Sequence, residues 1–577
     1  MPAQITLSDN GPGAAAAARP RAVALVGPYG SGKSSLFEAL MAAAGQPIRR
    51  SGDAKARAMS TELTVGHCRF MGDPWSIVDC PGSIEFSYET SAALTAVDIA
   101  VAVCEPAPER ALTVAPILKE LDERGIPHLL FVNKVDTLAG RMRDTLAALQ
   151  EFSKHPLVLR QVPMREADGV VGYVDVVSAR AYRYRKGEPS ELVKLPVPMQ
   201  AREDEARDAL VEVLADHDDG LLEKILEDLQ LSPAEIFDQL KKDQTSGAIV
   251  ETLLGGALRG HGVRRLWKAL RHDGPDPLMT AERRGIAPTG EPLVQTFKTV
   301  HPAHAGRLSY ARIWRGPVKD GSGLGTARIG GIYRMIGGET VKGSEAEAGE
   351  IVALARLDGV ASGMALGPNG PVADVDFPAP PPAVYALTVA PQDRKDDVKL
   401  STALHRLVEE DPSLGLIQDP ATGETVLAGQ GEIHLHAALD RLGRASGLKL
   451  VTQRPQVAFK ETIRRPVQQH ARLKRQTGGH GQFADVKLAI EPLGRGDGFR
   501  FVDKVVGGAV PRQYIPAVGE AAEEATRKGP FGFPVVDLGV TLLDGGFHAV
   551  DSSDMAFKSA ARMAMSEGLA KADPMLL

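Results

Sequence analysis

The octapeptide Gly27-Pro28-Tyr29-Gly30-Ser31-Gly32-Lys33-Ser34 constrains this chain most tightly. It fits the pattern G-x-x-x-x-G-K-[ST]. An apolar run, Ala22 to Val26, precedes it, and Ser35 to Met41 follows as a predicted helix. Glycines let a backbone curl until successive N–H groups face phosphate oxygens, with the positive end of the helix behind them. In such a loop Lys33 reaches the β- and γ-phosphates and Ser34 sets a hydroxyl on Mg²⁺, with Ser35 alongside. A buried strand feeding a helix through this turn predicts an α/β domain with a parallel sheet.

Further motifs follow in order. Arg49 to Ala58 is basic and polar, the composition of a loop. In Met59-Ser60-Thr61-Glu62 a hydroxyl is expected to close over Mg²⁺ when a γ-phosphate is present; Thr61 is the first candidate and Ser60 the alternative. Trp75 to Val78 reads as a strand ending in Asp79-Cys80-Pro81-Gly82-Ser83. Asp79 can hold Mg²⁺ through water, and the Gly82 N–H can meet the γ-phosphate. Val97 to Val103 reads as the apolar run of a central parallel strand.

His128 to Val132 then leads into Asn133-Lys134-Val135-Asp136. A carboxylate at Asp136 accepts two N–H bonds that guanine offers and adenine does not, while the Lys134 stem packs along the base. For the last base contact there are two candidates, Ser178-Ala179 and the turn Gly255 to Leu258. The second is preferred, with Gly256, Ala257 and Leu258 supplying backbone N–H groups, because Ser178 lies inside an inserted α+β unit, about 158–245. The ligand expected over residues 21–275 is GTP or GDP with Mg²⁺.

With 577 residues the chain is long enough for several domains, and 43% hydrophobic with 24% charged residues is ordinary globular material. A net charge of −6 argues against a protein that coats nucleic acid over its whole surface, and leaves room for a local basic face. Three cysteines are too few for a disulfide framework, so a reducing, cytoplasmic setting is expected. No run reaches the length of a membrane span. Residues 1–20 read as a flexible leader. Residues 288–385 alternate as a small β-barrel does, Phe377 to Pro382 is a proline-dense linker, and 386–460 and 461–577 read as two α+β domains. Arg464 to His480 holds Arg472, Lys474 and Arg475 without an acidic residue.

From about Arg21 to Leu577 the chain resembles elongation factor G, a translational GTPase family. The inserted unit carries Val162-Pro163 and Gly172-Tyr173-Val174-Asp175; later come Gly429-Gln430-Gly431-Glu432-Ile433-His434-Leu435, Gln476 to Phe483, Gly507 to Val518 and His548-Ala549-Val550-Asp551-Ser552-Ser553. The resemblance implies a ribosome-bound GTPase, monomeric off the ribosome, that promotes or modulates movement of tRNA and mRNA. It implies RNA contacts at Arg472, Lys474, Arg475, Gly478, Gly479, His480, Gln482, His548, Asp551 and Ser552. The chain departs from the family at three places. Ser83 stands where the family has the histidine that helps order the attacking water. Pro28 and Gly30 replace His and Asp of the phosphate loop, and the chain stops at Leu577, where a fifth domain would begin. Ser83 keeps a second expectation open, a slowly hydrolysing, GTP-switched regulator or protection factor.

Overall fold

The protein is described by a computed structural model covering residues 19–48, 59–166, 169–227, 229–302, 306–336, 339–372, 375–475 and 481–577. The loop expected over 49–58 lies outside these residues, as do Gly478, Gly479 and His480. Two compact units emerge: Met1–Asp419 with Glu424–Arg454, and Pro420–Gly423 with Pro455–Leu577.

The first unit begins with β1 (Arg21–Val26), whose residues Ala22 to Val26 have no exposed surface. Then come α1 (Lys33–Ala43), β2 (Thr64–Phe70), β3 (Asp73–Asp79), α2 (Ser87–Leu94), β4 (Ile99–Cys104), α3 (Ala111–Glu123), β5 (His128–Val132), α4 (Met142–Gln150) and β6 (Leu157–Leu159). They form one seven-stranded sheet in the order β2-β3-β1-β4-β5-β11-β6, where β11 is Val250–Leu254. Only β2 runs antiparallel to its neighbour; the other pairings are parallel. Register levels the strand ends: Leu25 pairs with Asp79, Cys104 with Val132, and Val132 with Leu254. The loops leaving β1, β3, β5 and β11 therefore share one sheet edge, where ligands of such sheets bind.

Between β6 and β11 the chain makes a separate four-stranded antiparallel sheet of β7 (Gln161–Glu166), β8 (Gly169–Asp175), β9 (Arg180–Arg183) and β10 (Glu191–Val193). Helices α5 (Val197–Ala215), α6 (Asp219–Leu226) and α7 (Pro233–Ser246) follow. Local chemistry sets α7: Ser232 and Glu235 form a reciprocal capping box, Pro233 opens the first turn, and Gly247 closes it at φ 82°. After β11, α8 (Val263–His272) is pinned by Trp267, which donates to Leu40 O at 3.0 Å and stacks on Phe70 at 4.8 Å.

After α9 (Pro277–Arg283), the domain expected as a small barrel is built on a seven-stranded sheet that includes Leu293–Val300 and Leu308–Arg315. Two buried ion pairs tie these strands to the nucleotide-type sheet: Arg312 to Asp98 at 2.7 Å, and Lys298 to Glu89. A four-stranded sheet, with Tyr385–Pro391 paired to Thr425–Gly429 and Leu450–Gln453, then carries α10 (Asp397–Glu410) and α11 (Glu432–Ser446).

In the second unit Val467–Arg475, Gln482–Pro492, Leu538–Gly546 and Phe499–Asp503 form one sheet in that order. Against it lie α12 (Ile515–Ala525) and α13 (Asp554–Lys571), whose buried faces are mostly alanine. Ala521, Ala522, Ala560, Ala561 and Ala564 are fully buried, and small side chains let the two helices approach closely.

Candidate functional site: a guanine-nucleotide cradle

The phosphate loop has the conformation its glycines imply: Gly27, Gly30 and Gly32 take φ of 148°, 83° and 89°. At Gly27 a Cβ would lie 2.2 Å from Val103 O, and at Gly32 2.4 Å from the Asn133 amide nitrogen, so close packing as well as φ requires glycine. Lys33 donates to Gly27 O at 2.8 Å and Pro28 O at 3.0 Å. Burial pushes its ammonium pKa down, against the attraction of Asp79 and Cys80. Ser31 Oγ is buried with no hydrogen-bond partner among the described residues, a polar atom left for a ligand or water inside the cradle. Tyr29 is exposed at the rim.

Ser34 Oγ lies 3.1 Å from Ser60 Oγ. The structure thus brings Ser60, the alternative to Thr61, to the loop serine. Asp79 is buried at the end of β3 beside Lys33. Two hydroxyls and a carboxylate are the hard oxygen donors that magnesium takes, so Ser34, Ser60 and Asp79 fit that ion. Cys80, beyond Asp79, is fully buried, its thiol pushed far up by burial, and it packs rather than reacts. Pro81 O accepts from Thr90 at 3.2 Å. A Cβ on Gly82 would fall 2.3 Å from Lys33 Nζ and 2.9 Å from Tyr29 N, so this glycine sits against the phosphate loop. Ser83, next in line, is half-buried and opens a short turn, Ile84–Phe86. Tyr29, Ser31, Gly82 and Ser83 border a cavity of about 540 Å³ together with Glu105 and Arg110.

The Asn133–Asp136 and Gly255–Leu258 segments are knitted to the same loop. Asn133 donates to Ser31 O at 2.9 Å and accepts from Ala257 N at 2.9 Å, bridging two motifs with one amide. Lys134, at φ 56°, donates to Gly30 O at 2.6 Å and pairs with Glu105, which also holds Arg110. Asp136 is partly exposed, 3.8 Å from Arg259 and facing Gly256. Gly256 N donates to His261 O at 3.0 Å, so a base carbonyl would have to share the Gly256 or Ala257 amide with a protein acceptor. Leu258 is largely exposed. The other candidate pair, Ser178-Ala179, follows β8 of the inserted sheet, where Ser178 donates through its N–H and its hydroxyl to the Asp175 carboxylate at 3.0 and 2.9 Å. Glu105 and Ser60 are the members that the motifs do not single out first. Glu105 is marked in the sequence only by its place directly after a parallel strand. A larger cavity of about 860 Å³ lies between the inserted unit and α8, and none of its walls comes from the four motifs.

In the second unit, the strand Val467–Arg475 exposes Arg472, Lys474 and Arg475. The strand itself lacks acidic residues, and a cross-strand neighbour supplies one: Asp485 binds Arg472 at 2.6 Å and also pairs with His470. Lys474 and Arg475 face Phe483 and Gln482 across the ladder. The His548 loop joins the same hairpin end. Phe483 N donates to Asp551 O at 2.8 Å, Ser552 Oγ donates to Phe483 O at 2.8 Å, and His548 Nδ1 lies 3.0 Å from Asp551.

Three family profiles match the chain: "Elongation factor Tu GTP binding domain" over residues 18–276, "Elongation Factor G, domain III" over 380–454, and "Elongation factor G, domain IV" over 455–573. The chain is 45% identical to a protein of Synechocystis sp. named "Elongation factor G-like protein", over 96% of this chain and 85% of that one. A crystal structure of a protein from Thermus thermophilus superposes with a TM-score of 0.78 at 32% identity, covering 96% of this chain and 85% of the other.

Proposed function

The chain belongs to the elongation factor G-like family of translational GTPases, and from that premise we propose that it binds GTP with Mg²⁺ and acts on the ribosome, promoting or modulating tRNA–mRNA movement. The observation that carries the nucleotide part is the pair of hydrogen bonds made by the Asn133 amide, which fixes the Gly255–Leu258 turn against the phosphate loop at one sheet edge. Lys33, the loop amides and the Gly82 N–H hold the phosphates, and Asp136 reads guanine. When bound, Mg²⁺ supplies positive charge at the phosphate oxygens, with Ser34, Ser60 and Asp79 as its protein side. Support for the ribosomal part comes from the exposed Lys474 and Arg475 beside the polar His548–Ser552 loop. Their contact with RNA, and a cytoplasmic, monomeric state off the ribosome, belong to the same proposal.

Ser83 favours slow hydrolysis. Its hydroxyl is short and uncharged, and it caps no backbone N–H of the turn it starts. Groups that orient the attacking water are worth orders of magnitude in rate. A GTP-switched factor that lingers on the ribosome is the reading this residue supports.

The nucleotide assignment is tested by Asp136→Asn. The variant should lose at least about tenfold in GTP affinity and gain preference for xanthine nucleotide, because an amide offers a donor where guanine also has one. An unchanged GTP preference would remove Asp136 from the site.

A further inference from the structure

Two residues beyond Ser83, the Glu85 carboxylate leaves its own domain and sits on the N-terminus of α11. It accepts the His434 N–H at 2.7 Å. It also fills the space over Gly431: a Cβ there would meet the Glu85 carboxyl carbon at 2.3 Å and its oxygens at 2.5 and 2.7 Å. Gly431 is in extended backbone at φ 168°, which any residue adopts, so the contact and not the conformation calls for glycine. The first amides of a helix lack partners within it and carry its positive end, so a carboxylate is the group such a socket holds best.

The socket is rigid on both sides. His434 is buried, its Nε2 is 2.8 Å from Asp411, and its Nδ1 accepts from Gln430 N at 3.1 Å. Phe86 meets the His434 ring edge-on at 5.3 Å. Burial pushes the Asp411 carboxyl up, but the His434 bond and the Lys298 charge outweigh it and hold that group below the usual range. The same helix reaches the segment that carries Ser60: Arg441 pairs with Glu62, two residues after Ser60, and lies 3.7 Å from Glu410.

We propose that Glu85 is a positioning residue for GTP hydrolysis, and that the N-terminus of α11 is the fixed socket that holds the Gly82–Ser83 turn in place. The proposal rests on the GTPase reading above. The Glu85 carboxylate is taken up by the start of α11. It acts through the turn, because Gly82 lies against Lys33 and Tyr29 while Glu85, one turn on, is bonded to α11. A turn tethered at both ends keeps the Gly82 N–H and Ser83 where the γ-phosphate and its water would be, which compensates in part for a side chain that cannot hold that water itself.

The test uses the full chain and four variants, Glu85→Ala, Glu85→Gln, Gly431→Ala and the double Glu85→Ala/Gly431→Ala. It measures kcat and KM for GTP, affinity for a fluorescent GTP analogue, and Tm. Misplacement of about 1 Å can cost up to about 100-fold, so kcat should fall at least about tenfold in each alanine variant, with KM and affinity within about twofold. Glu85→Gln, which keeps an acceptor, should fall between parent and Glu85→Ala. The double variant should be no slower than the slower single, since both break one contact. Turnover by either single alanine variant within about twofold of the parent overturns the proposal, as do losses that multiply in the double. Should Glu85→Ala fail to fold, Gly431→Ala probes the same contact from the other side and decides alone. An unaltered chain that binds GTP but never turns it over removes the hydrolysis reading, and this proposal with it, before any variant is compared.

Discussion

At the level of single residues, the site depends on a few side chains that do two things at once. Asn133 bridges Ser31 O and Ala257 N, both buried, so its loss leaves two backbone groups without partners. Each such group costs about 1–3 kcal/mol. Asn133→Ala should therefore lower the stability of the first unit by about 2 kcal/mol or more and weaken GTP and GDP alike. Urea unfolding and nucleotide competition check this; an unchanged midpoint would speak against the bridge. Asn133 can be singled out from sequence because its motif is local and the amide chemistry follows from the tetrapeptide. Ser60 is harder to place: Ser60 and Thr61 are adjacent hydroxyls, and the contact of Ser60 with Ser34 is one that no local pattern marks. Glu105 is hidden for a different reason. Its role exists only through Lys134 and Arg110, which are brought to it by the sheet and the turn after it.

Among the elements, strands and helices set by local chemistry are legible in the sequence, and those set by docking are less so. Helix α13 opens at Asp554, where the sequence offers a serine cap: Ser553 accepts from Ala556 N at 3.2 Å. Helix α5 starts at Val197, with Pro198 in a first turn that apolar patterning does not mark. Strand β4 begins at Ile99 rather than Val97 because Asp98, in the apolar run, turns its carboxylate to Ala22 N and Arg312. No periodicity could announce that pair, whose members are 214 residues apart.

Strand β2 shows the same dependence on distant partners. His67 accepts from Met335 N at 2.9 Å through Nδ1 and donates to Ile351 O at 2.5 Å through Nε2, which requires a neutral ring. Burial pushes its pKa down, outweighing the two backbone bonds. An unfolded histidine takes up its proton near pH 6.5, and the buried ring does so only at lower pH. Its contribution to stability is thus fully present above about pH 6.5 and lost as pH falls below that value. Buried His128, lowered mainly by burial, acts with the same sign. Tm should fall between pH 7 and 5.5, and His67→Gln should flatten that slope in part. An equal slope in parent and variant would contradict the assignment.

Across the whole molecule, the segments of the candidate site and the later domains they touch are separate in sequence and joined by acidic side chains. Glu62, Glu85 and Glu89, on the segments around Ser60 and Ser83, bond respectively to Arg441, the His434 amide and Lys298. The outline of this machine is visible in four motifs and a chain-long resemblance, but its couplings are not, because each pairs an ordinary surface-type residue with a partner hundreds of positions away. Holding GTP firmly while cutting it slowly is the central claim. Single-turnover GTP hydrolysis with and without ribosomes, for the parent and for Ser83→His, addresses it most directly. The account predicts slow turnover by the parent even with ribosomes, and a gain of at least about tenfold in Ser83→His, as restoring a water-orienting group should give. A parent as fast as ordinary elongation factors of its family, or a Ser83→His variant no faster than the parent, would contradict it.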